Sequence, residues 1–143
     1  MENTYEYHAS VSWTSEKKGL VSAGGLPTLE VAVPPEFKGH EGIWSPEHLL
    51  VAAVASCIMN TFLAIAEASK FSFTEYESSA RGILEKTDSG YQFTSIEIEA
   101  GLTVSKEEAV SKGIRLLQKA EENCFVSRSV KAKVTLTPSV KVG

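Results

Sequence analysis

Ser45 to Lys70 reads SPEHLLVAAVASCIMNTFLAIAEASK, and from Leu49 to Ala66 it carries no charge. Three kinds of segment share that character: a membrane span, the core helix of a soluble protein, and a scaffold presenting a thiol, since Cys57 stands near its middle. The eighteen uncharged residues lie at the lower edge of what a hydrocarbon core of ~30 Å requires. They are rich in alanine, they include Ser56, Asn60 and Thr61, and no Trp or Tyr belt flanks both ends. The stretch is therefore read as a buried helix.

Its boundaries are marked. Ser45 suits an N-cap, Pro46 the first helical position, and Glu47 the positive end of the helix dipole. A helix from 46 to about 69 follows. Apolar residues cover nearly all of its circumference, so other elements must enclose it on most sides. One chain of 143 residues could hardly do that alone, which predicts a homodimer in which a partner covers the face one sheet leaves bare.

Upstream, Tyr5, Tyr7, Ala9, Val11 and Trp13 alternate along YEYHASVSW and predict a half-buried strand over 5–13. TSEKKG reads as a turn, LVSAGG as a second strand, and TLEVAVPP as a third strand stopped by Pro34 and Pro35. EFKGHEGIW is a loop. Downstream, Phe71 to Val104 reads as a long hairpin turning at TDSG, with Ile96, Ile98, Ala100, Leu102 and Val104 alternating on the returning strand. SKEE predicts a capping box, Ser105 with Glu108, opening a helix over 106 to about 122 with an apolar face of Val110, Ile114, Leu117 and Ala120. SVKAKVTLTP closes the chain as a strand, with Val130, Ala132, Val134 and Leu136 toward the core. The order βββ, α, ββ, α, β predicts an α+β fold in one domain over 1–143.

Composition narrows the function classes. Fourteen basic against 18 acidic side chains give a net charge of −4, and the lysines are scattered, which disfavours nucleic acid as a partner. No Gly-rich nucleotide fingerprint is present. His8, His40 and His48 lack metal-ligand spacing, so no metal is expected. MENTYEYHAS has neither a basic nor an apolar leader region, and a cytoplasmic location is the expectation. Two cysteines in such a setting suggest free, redox-active or buried thiols more than a structural disulfide.

Position alone favours a core role for Cys57, a small hydrophobe among Ala53, Val54, Ala55, Ile58 and Met59. The helix N-terminus is too distant to lower its pKa, and no basic residue lies within a turn, so activation must come from another element or subunit. Cys124 follows the second helix, where the dipole disfavours a thiolate, and so would serve better as a resolving thiol than as a nucleophile. Glu47, ten residues before Cys57, lies about 15 Å from it along the helix. Lys17 and Lys18 form a hairpin tip that is solvated by default. Arg128 is the arginine nearest either cysteine in sequence. Either group could bring positive charge to a thiol, and spacing does not choose between them.

SPEHLLVAAVASC, with Pro-Glu opening an apolar helix and cysteine ten residues after the glutamate, resembles the OsmC/Ohr family of thiol peroxidases. AEENCFVSRSV, between a helix and the last strand, resembles that family's second-cysteine segment, and the element order matches over essentially the whole chain. The resemblance implies an OsmC-like fold built as an intertwined homodimer with two central cysteine-bearing helices. It implies a stress-response antioxidant role: reduction of organic hydroperoxides with Cys57 peroxidatic, Cys124 resolving, Glu47 the active-site carboxylate, an external thiol as reductant, and no metal or prosthetic group. In the family an arginine of the N-terminal hairpin partners the glutamate. Here the hairpin has Lys17 and Lys18 instead, Phe125 stands where a proline is frequent, and the chain resembles a divergent branch. A lysine is a point charge without the guanidinium fork. The other reading is an OsmC-fold protein that binds a small apolar or thiol-reactive ligand without turnover.

Overall fold

The computed structural model describes residues 3–143. They group into two compact units, one up to Leu50 and one from Val51 to Gly143.

The first unit is an antiparallel sheet of β1 (Ser10–Ser15), β2 (Lys18–Ser22) and β3 (Leu29–Ala32), in the order β1-β2-β3. Ser15 pairs with Lys18 across the two-residue turn Glu16-Lys17, with Glu16 left-handed at φ 53°. The Trp13 indole N–H donates to the Glu16 carbonyl at 2.9 Å, holding that turn. Lys18 therefore lies in β2 rather than at the tip. The first strand also differs from its expected range: residues 5–9 have no regular structure, and β1 begins at Ser10. Nor is its apolar face half-buried, since Tyr7 is 94% and Trp13 76% exposed. Alternation reports that a strand has an apolar side, not that its own chain covers it. After β3, a 3-10 turn at Pro35–Phe37 leads to Gly39, where a Cβ would stand 1.6 Å from the Val33 carbonyl oxygen. Only glycine fits there, and the fold-back carries the chain to Trp44, whose carbonyl accepts from the Ala32 N–H at 2.9 Å.

α1 spans Pro46–Ala68. Ser45 caps it as expected: its hydroxyl accepts the His48 N–H at 3.1 Å and lies 2.7 Å from His48 Nδ1. At 23 residues with mean hydropathy 2.2, α1 is long and apolar enough to cross a membrane. In this chain it buries one stripe, Val54, Ile58, Phe62 and Ala66, each one helical turn after the last. Ser56, Asn60, Leu63 and Ala64 remain exposed.

The second unit is the sheet β4 (Glu75–Thr87), β5 (Gly90–Val104), β6 (Lys133–Val142), in that order. β4 and β5 form the expected hairpin, with Gly90 at φ 106° after the turn. β6 runs parallel to β5, not antiparallel to it. A parallel neighbour requires a long crossover. Here α2 (Val110–Glu122) and the single turn α3 (Phe125–Arg128) supply it. β6 starts later than expected and runs through Pro138, which an edge strand tolerates. The capping box does not form. Ser105 stays outside the helix, and extended Lys106 precedes a 3-10 turn, Glu107–Ala109, that leads into α2 without a side-chain cap. The chain leaves β5 only at Val104, too late for Ser105 to close the first turn.

The core joins the α1 stripe to Ile96, Ile98, Ala100 and Leu102 of β5 and to Leu116, Leu117 and Ala120 of α2. Phe62 is its aromatic centre, with ring centroids 5.2 Å from Phe73, 5.5 Å from Tyr76 and 6.4 Å from Phe71. At Gly113 of α2 a Cβ would stand 3.3 Å from both Phe71 and Val140. That glycine lets the helix lie close on the sheet.

Candidate active site

Cys57 is a partly buried residue of α1, and Cys124, fully buried, follows the end of α2. Although 67 positions separate them in sequence, both are free thiols, and the crossover brings them near enough for each to shift the other's titration. Cys124 is where sequence reading puts it, but a new helical turn begins on it. It is the N-cap of α3, its sulfur accepting the Ser127 N–H at 3.4 Å. That turn aims the Phe125 and Val126 N–H groups at Cys57.

The two thiols are shifted in opposite directions. Burial pushes Cys57 up. The Cys124 thiol, the Val126 N–H, the Thr61 hydroxyl and the Phe125 N–H outweigh that and lower it below its ordinary value. Cys124 is pushed up, chiefly by burial and then by the neighbouring Cys57 thiol, against the Ser127 N–H. The thiolate is thus favoured at Cys57 and disfavoured at Cys124. The donors that lower Cys57 are neutral groups.

The expected cations lie elsewhere. Lys17 Nζ donates to the Lys38 carbonyl at 2.9 Å, and Lys18 Nζ stands 4.0 Å from a Glu16 carboxylate oxygen. Arg128 Nη2 is 3.5 Å from the Glu122 carbonyl oxygen on the exposed side of α3. Lys17, Lys18 and Glu47 do share one feature, a groove of about 470 Å³ in the first unit, walled by Val11, Trp13 and Phe37 among others. Glu47 Oε1 is buried, with no hydrogen-bond partner among the described residues. A buried carboxylate oxygen without a donor is costly and marks a place where one is wanted. Along α1, Glu47 and Cys57 are about 15 Å apart and do not meet. His48 takes part in the α1 cap, and His8 lies 3.4 Å from Glu6. Among the described residues no group of three or more His, Cys, Asp or Glu could hold a metal.

Two contributors escape sequence reading: the α3 turn and Thr61. The turn is too short to leave a periodic pattern. Thr61 was legible in principle, because residues i and i+4 of a helix share a face and Cys57 and Thr61 have that spacing.

The chain is 34% identical over 127 residues to peroxiredoxin OsmC of Escherichia coli, covering 87% of each. Its fold superposes on an OsmC-like protein of unknown function from Vibrio cholerae with TM-score 0.85 at 23% identity, covering 94% of this chain and 99% of that one. An organic hydroperoxide resistance protein OsmC from Legionella pneumophila matches with TM-score 0.77 at 25% identity, covering 98% and 99%. The sequence profile of the OsmC-like proteins matches residues 39–139, which takes in Glu47 and both cysteines, and the chain belongs to that family.

Proposed function

We propose that this chain is a cytoplasmic, cysteine-based peroxidase that reduces organic hydroperoxides. The observation that carries the reading is the pairing of two neighbouring thiols shifted in opposite directions, Cys57 down and Cys124 up. The Cys57 thiolate attacks the outer oxygen of ROOH. The O–O bond breaks, ROH leaves after protonation, and Cys57 becomes a sulfenic acid. Cys124 then attacks the sulfenic sulfur, forming the Cys57–Cys124 disulfide and releasing water. Two equivalents of an external thiol reduce that disulfide and are themselves oxidised to a disulfide.

The same reading includes a homodimer. The exposed Ser56, Asn60, Leu63 and Ala64 of α1 and the exposed Val11 and Trp13 of β1 favour it, because a partner would bury both. Light scattering should give twice the 15.5 kDa of one chain.

The test mixes reduced protein with cumene hydroperoxide, counts free thiols, and maps the product by mass spectrometry. Rapid loss of both thiols as a Cys57–Cys124 disulfide is expected. Thiols that survive excess peroxide for minutes refute the reading. That outcome would favour the second one, a ligand-binding protein without turnover, to which the tethered Lys17 and Arg128 already lend weight.

A further inference from the structure

We propose that the Thr61 hydroxyl is a switchable donor to the attacking sulfur, turning from the Cys57 carbonyl to the Cys57 sulfur when that sulfur becomes anionic. The proposal rests on Cys57 as the attacking thiol and goes beyond the disulfide chemistry.

Three features of α1 carry it. Thr61 lies one turn after Cys57, and helix side chains lean toward the N-terminus, so its Cβ substituents cover the Cys57 turn. Its hydroxyl donates to the Cys57 carbonyl at 2.8 Å, which fixes it beside that residue. From there it is also among the groups that favour the Cys57 thiolate.

A hydroxyl has one proton, so it cannot serve carbonyl and sulfur at once. The carbonyl already has its helical partner, the Thr61 N–H, and loses little when the hydroxyl leaves. A thiolate gains more, because hydrogen bonds to charged groups are the stronger kind. Turning the hydroxyl needs only rotation about a bond, and helical threonine divides between two rotamers anyway.

Ser56 provides the internal control. Its hydroxyl donates to the Ala52 carbonyl at 2.8 Å in the same way. Back-bonding of this kind is ordinary for helical Ser and Thr. Unlike Thr61, Ser56 is not among the groups that lower Cys57. Cys124 is the titratable side chain facing Cys57, and no charged side chain is among the groups that lower it.

The experiment follows iodoacetamide alkylation of the Cys57 peptide by mass spectrometry from neutral to alkaline pH, using fully reduced full-length protein without peroxide. In Thr61→Val the midpoint should rise by about one pH unit, the scale of one hydrogen bond to a charged group. Thr61→Ala should show the same rise, which keeps the test open if valine disturbs packing. Thr61→Ser should restore the original midpoint, and Ser56→Ala should leave it unmoved. Wild-type midpoints in both folded Thr61→Val and Thr61→Ala would overturn the proposal. Since no peroxide is used, that failure is distinct from a lack of peroxidase turnover, which the disulfide assay reads.

Discussion

The thiol pair and the hairpin groove solve their polar chemistry in opposite ways. Around Cys57 the chain supplies every donor itself, from a neighbouring thiol, two backbone N–H groups and a hydroxyl. In the groove of the first unit a carboxylate oxygen is buried without a donor, and the strand beside it leaves Val11 and Trp13 exposed. Cys57 is served by groups of its own chain, whereas the groove holds a carboxylate oxygen that a ligand or a partner would have to serve. The groups that lower Cys57 and the hairpin lysines belong to different parts of the chain, and the lysines bear on the groove first.

Substitutions can break that contrast, and the strongest acts on the thiol side. Cys57→Ser should abolish disulfide formation with cumene hydroperoxide, leaving Cys124 reduced in the thiol count because it is buried and its thiolate is disfavoured. Next, Phe62→Ala should lower stability by about 3–5 kcal/mol in urea denaturation, because the ring is fully buried among three other aromatics. On the groove side, Trp13→Glu should halve the mass seen by light scattering while leaving Cys57 alkylation intact. An unchanged mass would mean that β1 faces solvent in the assembly.

A smaller effect concerns pH. Cys57 is lowered from its ordinary value, so its thiolate is present above the lowered midpoint and lost as pH falls through it. Alkylation of Cys57 in the native protein should reach half its maximum at lower pH than in urea-unfolded protein, and identical midpoints would remove the donor cluster from the account. The smallest expected change is in Arg128→Ala. Its guanidinium leans on the Glu122 carbonyl, so the Cys57 alkylation midpoint should stay within experimental error. A clear rise would restore a cation to the thiol site.

What the sequence displayed follows the range of the interactions involved. α1 was legible to within a residue because Ser45, Pro46 and Glu47 act within one turn of its start. β5 was legible because its apolar alternation is met by its own chain's helices. β1 carried the same pattern without such cover, and its buried face was misread. The failed capping box shows a tertiary limit on local chemistry: β5 runs up to Val104 and the backbone is still extended at Lys106, so Ser105 stays outside the first turn. The α3 turn has four residues, below the length at which periodicity speaks. Both cysteines were legible as candidates, yet what sets them apart, two N–H groups from that turn, was not.

Gly113 has no part in the chemistry but gauges it. It sets the height of α2 above the sheet, and Cys124 is attached just beyond the end of that helix. Because a Cβ at Gly113 would press on Phe71 and Val140 at 3.3 Å, even alanine would make the neighbours give by a few tenths of an ångström. If α2 rises to make room in Gly113→Ala, Cys124 and α3 move with it, and the rate of disulfide closure would read that shift.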